Sequence, residues 1–310
     1  MISGVLAGLA AGALWGLVFV VPYLTPGLAA VDLAAGRFLS FSVFSALVIL
    51  LTLRQRKLPT PTQALTALWM SVLGFSGYYL LLVLAIREMG AEVPTLIIGT
   101  IPLWMLILGR PLGLKLKALL PGMALTAGGL VLMVLADLKF TLDPITQTAQ
   151  STAQPTTIPG NYLLGVVYAC AAMVSWTIYG LQNALWLRKH PEVSATDWTN
   201  WLGVAAGVGA LLLWLVAGSD VSDLQALDNK LWLVGVCVVT GISSAWLPTI
   251  LWNIASQRLS ASLCGQLIVS ETIFGLVYTF AWKGQWPLEL QLAAVALFVL
   301  GIWASVRAHA

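Results

Sequence analysis

The stretch Gly4-Val-Leu-Ala-Gly8-Leu-Ala-Ala-Gly12-Ala-Leu-Trp15-Gly16-Leu-Val-Phe-Val-Val21 carries no charged residue. A bilayer core about 30 Å thick takes about 20 apolar residues wound as a helix, and this stretch with its flanks has that length. No basic region precedes it, and no small-residue cleavage site with a soluble region after it follows. It therefore reads as a retained membrane span and not as a signal peptide. Gly4, Gly8, Gly12 and Gly16 recur every four residues along one face. Small residues at that spacing let two helix backbones approach where lipid supplies no hydrophobic drive between helices.

The pattern repeats outward from this stretch. Hydrophobic residues make up 59% of the 310 residues and charged residues 9%, against roughly a quarter charged in soluble domains. Spans are expected at 3–22, 28–53, 63–86, 92–109, 115–135, 160–187, 197–217, 231–255, 260–281 and 288–306. They are read as helices, because a strand barrel would show alternating segments of about ten residues. The fold class is an all-α polytopic membrane protein of ten transmembrane helices. No separate soluble domain fits. A formal charge of +3 without a basic cluster on an aqueous domain sets nucleic acid aside as a partner. Cys170, Cys237 and Cys264 fall inside apolar spans and read as small buried residues, not a disulfide frame. His190 and His309 have no neighbour at metal-ligand spacing, so neither a metal nor a cofactor is expected.

One polar stretch divides the chain. Residues 137–159 are Thr/Gln-rich and nearly uncharged, and are expected to be a linker outside the membrane. It separates a first repeat at 1–136 from a second at 160–310. With the N-terminus inside, Arg54, Arg56, Lys57, Arg110, Lys115, Lys117, Arg188, Lys189, Arg258 and Arg307 lie inside. Only Arg87, Lys139, Lys230 and Lys283 lie outside. That bias places both termini in the cytoplasm and the linker outside. The halves echo each other in order. Trp15 answers Trp176, Ala85 to Ala91 answers Ala255 to Ala261, and Arg110-Pro111-Leu112 answers Trp286-Pro287-Leu288. Five spans per half make the second repeat inverted, a transporter build with its site near the midplane.

These features resemble the drug/metabolite transporter superfamily, in its EamA-type branch with ten helices. The resemblance rests on Ala13-Leu14-Trp15-Gly16, Gly36-Arg37-Phe38, Leu84-Ala85-Ile86-Arg87 through Ala91, Ile101-Pro102, Leu251-Trp252-Asn253 and Ser270-Glu271. It spans nearly the whole chain and implies a multi-pass protein of the cytoplasmic (inner) membrane, exporting small metabolites. Thr272 stands where the family often has Pro. Trp15 stands at the depth where small multidrug-resistance relatives carry an acid, which counts against proton/drug antiport.

Glu271 is the one carboxylate expected near a midplane. An ionisable group there costs about 2.5–3.5 kcal/mol and usually faces a cavity or a partner. It is a candidate for substrate binding and for proton coupling, set against a structural hydrogen bond between helices. Arg37 is the one basic residue well inside a span. Its alternatives are coupling or substrate contact, snorkelling, and a pair with Asp32. Trp15, Tyr78, Tyr79, Trp176, Tyr179 and Trp246 lie away from the interface belts. With Thr95, Thr100, Asn253, Gln266 and Ser270 they form the expected substrate-binding set. Pro22, Pro94, Pro102 and Pro248 are expected to interrupt spans one, four and eight.

No nucleophile, base and acid cluster, so the chain is not read as an enzyme. A scaffold or receptor is a distant alternative. The leading reading is a secondary transporter of small organic metabolites, amino acids first, by alternating access. A multidrug exporter and a nucleotide or sugar-nucleotide carrier are the alternatives. The expected partners are a small-molecule substrate, the lipid bilayer and a proton as coupling ion, with a monomer ahead of a dimer.

Overall fold

A backbone crossing hydrocarbon must satisfy its own N–H and C=O groups, and helices do so within one segment. The computed structural model describes residues 1–54, 58–89, 92–142, 161–284 and 286–309, and among these there is helix and no strand. Ten helices cross. They are α1 (Ile2–Gly16, prolonged by a tighter turn at Leu17–Phe19), α2 (Ala30–Thr52), α3 (Pro61–Met89), α4 (Val93–Leu108) and α5 (Leu116–Leu142). The second five are α6 (Tyr162–Lys189), α7 (Ala195–Ala217), α8 (Lys230–Arg258), α9 (Ala261–Lys283) and α10 (Glu289–Ala308). Nine are long and apolar enough to span, and α4 is shorter. Two short helices, Val21–Leu24 and Val221–Ala226, lie between spans. The linker expectation falls largely outside the described residues, as do Arg56 and Lys57. Helical backbone continues through Leu142, past the expected end of the fifth span.

Helix starts follow local chemistry. Thr60 accepts from the Gln63 N–H and donates its own N–H to Gln63 Oε1, a reciprocal cap for α3. Ser194 and Ser260 cap α7 and α9 in the simpler way, accepting from the N–H three residues on. Three expected proline interruptions coincide with breaks. The turn after α1 leads into Val21–Leu24 with Pro22, α4 breaks at Thr100 before Pro102, and Pro248 follows an irregular turn in α8. At α9 the helix runs unbroken through Glu271-Thr272.

The packing pattern is two-fold. Helix α1 packs on α8 and α9, and α6 packs on α3 and α4. Helix α2 pairs with α7, and α5 with α10. One half therefore clasps the other at every long contact. Both third helices also carry a π-helical turn, Val72–Ser76 in α3 and Ile242–Trp246 in α8. These turns stand 170 positions apart (242 − 72), as do Ala85 and Ala255 (255 − 85).

The glycine face of α1 lies along α9. A Cβ on Gly12 would collide with Ser270 Oγ and lie 3.0 Å from the Glu271 backbone nitrogen. This close approach fixes the depth of Glu271 against α1.

Candidate functional site

A cavity of about 360 Å³ lies between the halves at mid-membrane. Its wall uses residues from nine of the ten helices, α7 alone contributing none. Nine of its 25 lining residues are aromatic, and several of these rings run as a continuous chain. Trp176 and Tyr179 stand 5.9 Å apart, Tyr179 and Phe75 5.6 Å, Phe75 and Phe38 5.8 Å, and Phe38 and Tyr79 6.2 Å. Trp15 and Trp176, the echoing tryptophans of α1 and α6, both line it. Beneath them lies Trp252, 5.6 Å from Trp15 and 6.2 Å from Trp176, fully buried. Edge-to-face and tilted rings at these spacings form a wall that is rigid for its area.

Two charges share this cavity. Glu271 is the eleventh of the 23 residues of α9, so it sits halfway across. Among the described residues no side-chain hydrogen bond or ion pair engages it. Arg37 Nη2 donates to Ser244 Oγ at 3.1 Å and to the Ser244 carbonyl at 3.4 Å. Ser244 belongs to the π-turn of α8, where the wider winding leaves a carbonyl available to a neighbour. The pairing of Arg37 with Asp32 weighed from sequence does not form. Asp32 accepts from the Ser219 N–H at 3.0 Å and hydroxyl at 2.6 Å, tying α2 to the end of α7.

Of the expected set, the wall carries Trp15, Tyr78, Tyr79, Thr95, Trp176, Tyr179, Glu271 and Arg37. Thr100, Trp246, Asn253, Gln266 and Ser270 lie off the wall. Thr100 donates to the Ile97 carbonyl and Trp246 to Asn200 Oδ1. Gln266 donates to Thr126 Oγ1, and Ser270 turns back to the Leu267 carbonyl. Depth alone placed these five with the others, and helix rotation separates them. Phe38, Phe75 and Thr249 are wall residues that depth did not single out. The shared register of the two π-turns is the signal that would have pointed to Phe75, whereas Ser244 is polar and at cavity depth on sequence alone.

The end of the bundle that carries both termini is sealed. Below Trp252, Ala7, Ala11, Met105, Ala255, Leu263, Cys264 and Leu267 form one apolar cluster. Beside it runs a buried polar chain. Trp198 Nε1 donates to Asn183 Oδ1 at 2.7 Å, Asn183 Nδ2 to Asn253 Oδ1 at 2.9 Å, and Asn253 Nδ2 to Thr199 Oγ1 at 2.9 Å. It joins α6, α7 and α8. Further out, Ser262 donates its N–H to the Gly109 carbonyl and its hydroxyl to the Leu106 carbonyl, and His309 Nε2 meets the same hydroxyl. The cavity walls belong to the midplane and the linker-side half, so the cavity stands behind a closed termini face.

Two clasping halves around a mid-membrane cavity are the build of a membrane carrier. The model of the EamA-like transporter family matches residues 163–307. The inner membrane protein YtfF of Escherichia coli (strain K12) is 32% identical over 321 residues, covering 99% of this chain and 96% of that protein. The chain belongs to the EamA-like transporter family of the drug/metabolite transporter superfamily. A solved crystal structure matches with a TM-score of 0.68 over 98% of both chains at 19% identity, a likeness of fold alone.

Proposed function

We propose that this protein is a secondary transporter of the inner membrane that moves small organic metabolites, amino acids first, by alternating access between its halves. The reading is carried by Glu271, a carboxylate at mid-membrane, in an aromatic cavity between the halves, with no hydrogen bond or ion pair among the described residues. A membrane keeps such a group at a cost, and the cost is offset when the group meets a substrate amine or a proton. The aromatic wall suits an apolar side group. Among the described residues Arg37 is the one cationic side chain on the cavity wall, so a nucleotide diphosphate would be short of counter-charge.

Both termini face the cytoplasm in this reading. In a chain with its native cysteines replaced, impermeant maleimide labels a cysteine at Thr148 in intact cells and spares one at Ala308. The function is tested in liposomes with a panel of labelled amino acids. The expected result is saturable counterflow that falls at least about tenfold in Glu271→Gln, which keeps shape but removes ionisation. A wild-type protein that moves no member of the panel would overturn the reading. So would counterflow in Glu271→Gln and Glu271→Ala at wild-type rates.

A further inference from the structure

Helix α3 leaves its π-turn at Ser76 and presents Tyr78 and Tyr79 in succession, about 100° apart around the axis. Both line the cavity. The Tyr79 hydroxyl donates to the Ala30 carbonyl at 3.2 Å, tying α3 to the start of α2. The cavity has an acidic pole at Glu271 on α9 and a basic pole at Arg37 on α2, beside Ser244 of α8. Among the described residues Arg37 and Glu271 form no ion pair with each other.

The guanidinium is held by one edge only. Its Nη2 is spent on Ser244, whose hydroxyl in turn donates to the Thr240 carbonyl at 2.8 Å. Its Nε is buried without a partner, and Nη1 makes no hydrogen bond among the described residues. Arg37 is 8% exposed. Asp32, the acid nearest in sequence, is committed to Ser219. A buried cation with unused donors is costly unless a ligand supplies the acceptor. The planar fork of arginine matches a carboxylate with two parallel hydrogen bonds.

We propose that Arg37, pinned by Ser244, receives the carboxylate of the substrate while Glu271 takes its ammonium, so that the transported species is a small zwitterion read at both poles. The inference rests on the carrier reading above and makes Arg37 a determinant of specificity. A ligand with one pole leaves the other protein charge unpaired in a low-dielectric site, a larger penalty than a missing methylene. A zwitterion also bridges α2, α8 and α9, from both halves of the chain. That gives a bound ligand a grip on the elements that must move.

The test uses full-length protein in liposomes, with leucine as the labelled probe. The competitors are 3-methylbutylamine, which is leucine without its carboxylate, and 4-methylpentanoate, which is leucine without its amine. Each competitor is expected to be at least about tenfold weaker than leucine in wild type. In Arg37→Gln, leucine should fall to the level of the amine while the amine stays unchanged, so their ratio approaches one. Ser244→Ala keeps the charge but frees the fork, and should lower the ratio part of the way. Equal competition by leucine and the amine in wild type would overturn the inference and needs no variant to fold. An unchanged ratio in Arg37→Gln, or in Ser244→Ala if Arg37→Gln fails to fold, would also overturn it. In each of these cases the carrier reading stands. A wild type that moves no amino acid removes both.

Discussion

Helices α3 and α8 are built on one plan and used differently. Each bends through a π-turn, and one register of 170 positions relates them. In α8 that register puts Ser244 in the turn, then Trp252 and Asn253 below it. In α3 it puts Gly74 in the turn, then Leu82 and Val83. Ser244 holds Arg37, whereas Gly74 makes room for a ring: a Cβ there would lie 2.6 Å from Tyr179. Trp252 and Asn253 supply the floor and the polar chain of the termini-side seal. Val83 packs in an apolar cluster with Val31, Leu213 and Ala217 at the other end. The turn is common to both halves, but the fastening is not. An inverted repeat with equal halves would hold its two closed states equally well. In the proposed alternating-access cycle the polar chain would favour closure on the termini side.

The largest test of this difference is to give α8 the residue of α3. Trp252→Leu removes a fully buried ring that touches Trp15 and Trp176. Loss of a buried aromatic of this kind costs about 2–4 kcal/mol, with relief from the unpartnered Nε1 as a small offset. The expected outcome is a Tm lower by about 5 °C or more in detergent. A Tm at the wild-type value would mean that the floor carries no part of the seal.

A smaller loss is expected from Asn253→Val, the matching swap one residue on. It removes the acceptor of Asn183 and the donor to Thr199 in a fully buried chain. Hydrogen bonds between membrane helices are worth about 0.6 kcal/mol each on average, and the orphaned Asn183 amide adds to that, giving about 1–2 kcal/mol. The seal should open more often. With Cys170 and Cys237 replaced, the native Cys264, buried inside the seal, reports this through faster labelling by a permeant maleimide. Labelling as slow as in the parent would show that the apolar cluster alone keeps the termini side shut.

The sequence made much of this readable, and the limit is physical. Span count follows from apolar length, and Glu271 announced itself because a charge at depth is costly wherever it faces. Trp15 and Trp176 were legible through the echo between halves. Rotation about the helix axis was not. Ser270 and Glu271 are neighbours in sequence, yet Ser270 packs against Gly12 while Glu271 meets the cavity. Gln266, one turn before Ser270, points to Thr126 on α5. The α3 π-turn contains no proline, so nothing local marks it. It packs against α6 through Ser175 and Tyr179, and it shares a register of 170 positions with the turn of α8.

The smallest effect probes how firmly that unmarked turn is held. In both π-turns a side chain from another helix takes a carbonyl: Arg37 takes that of Ser244, and Ser175 on α6 takes that of Leu73 at 2.8 Å. The first is a charged donor and the second a hydroxyl, so the fastenings differ in strength as well as in place. Ser175→Ala removes the second bond and adds no bulk. Ser175 is half-buried and the bond is one neutral contact between helices, so the cost should be about 0.6 kcal/mol or less. The expected Tm shift is about 1–2 °C, well below that of Trp252→Leu. The helix pair α3 and α6 is the counterpart of α8 and α1, so the two shifts together weigh one clasp against the other. If Ser175→Ala lowers Tm as far as Trp252→Leu does, the α3 turn is held as tightly as the α8 floor. The preference for closure at the termini side would then lose its basis.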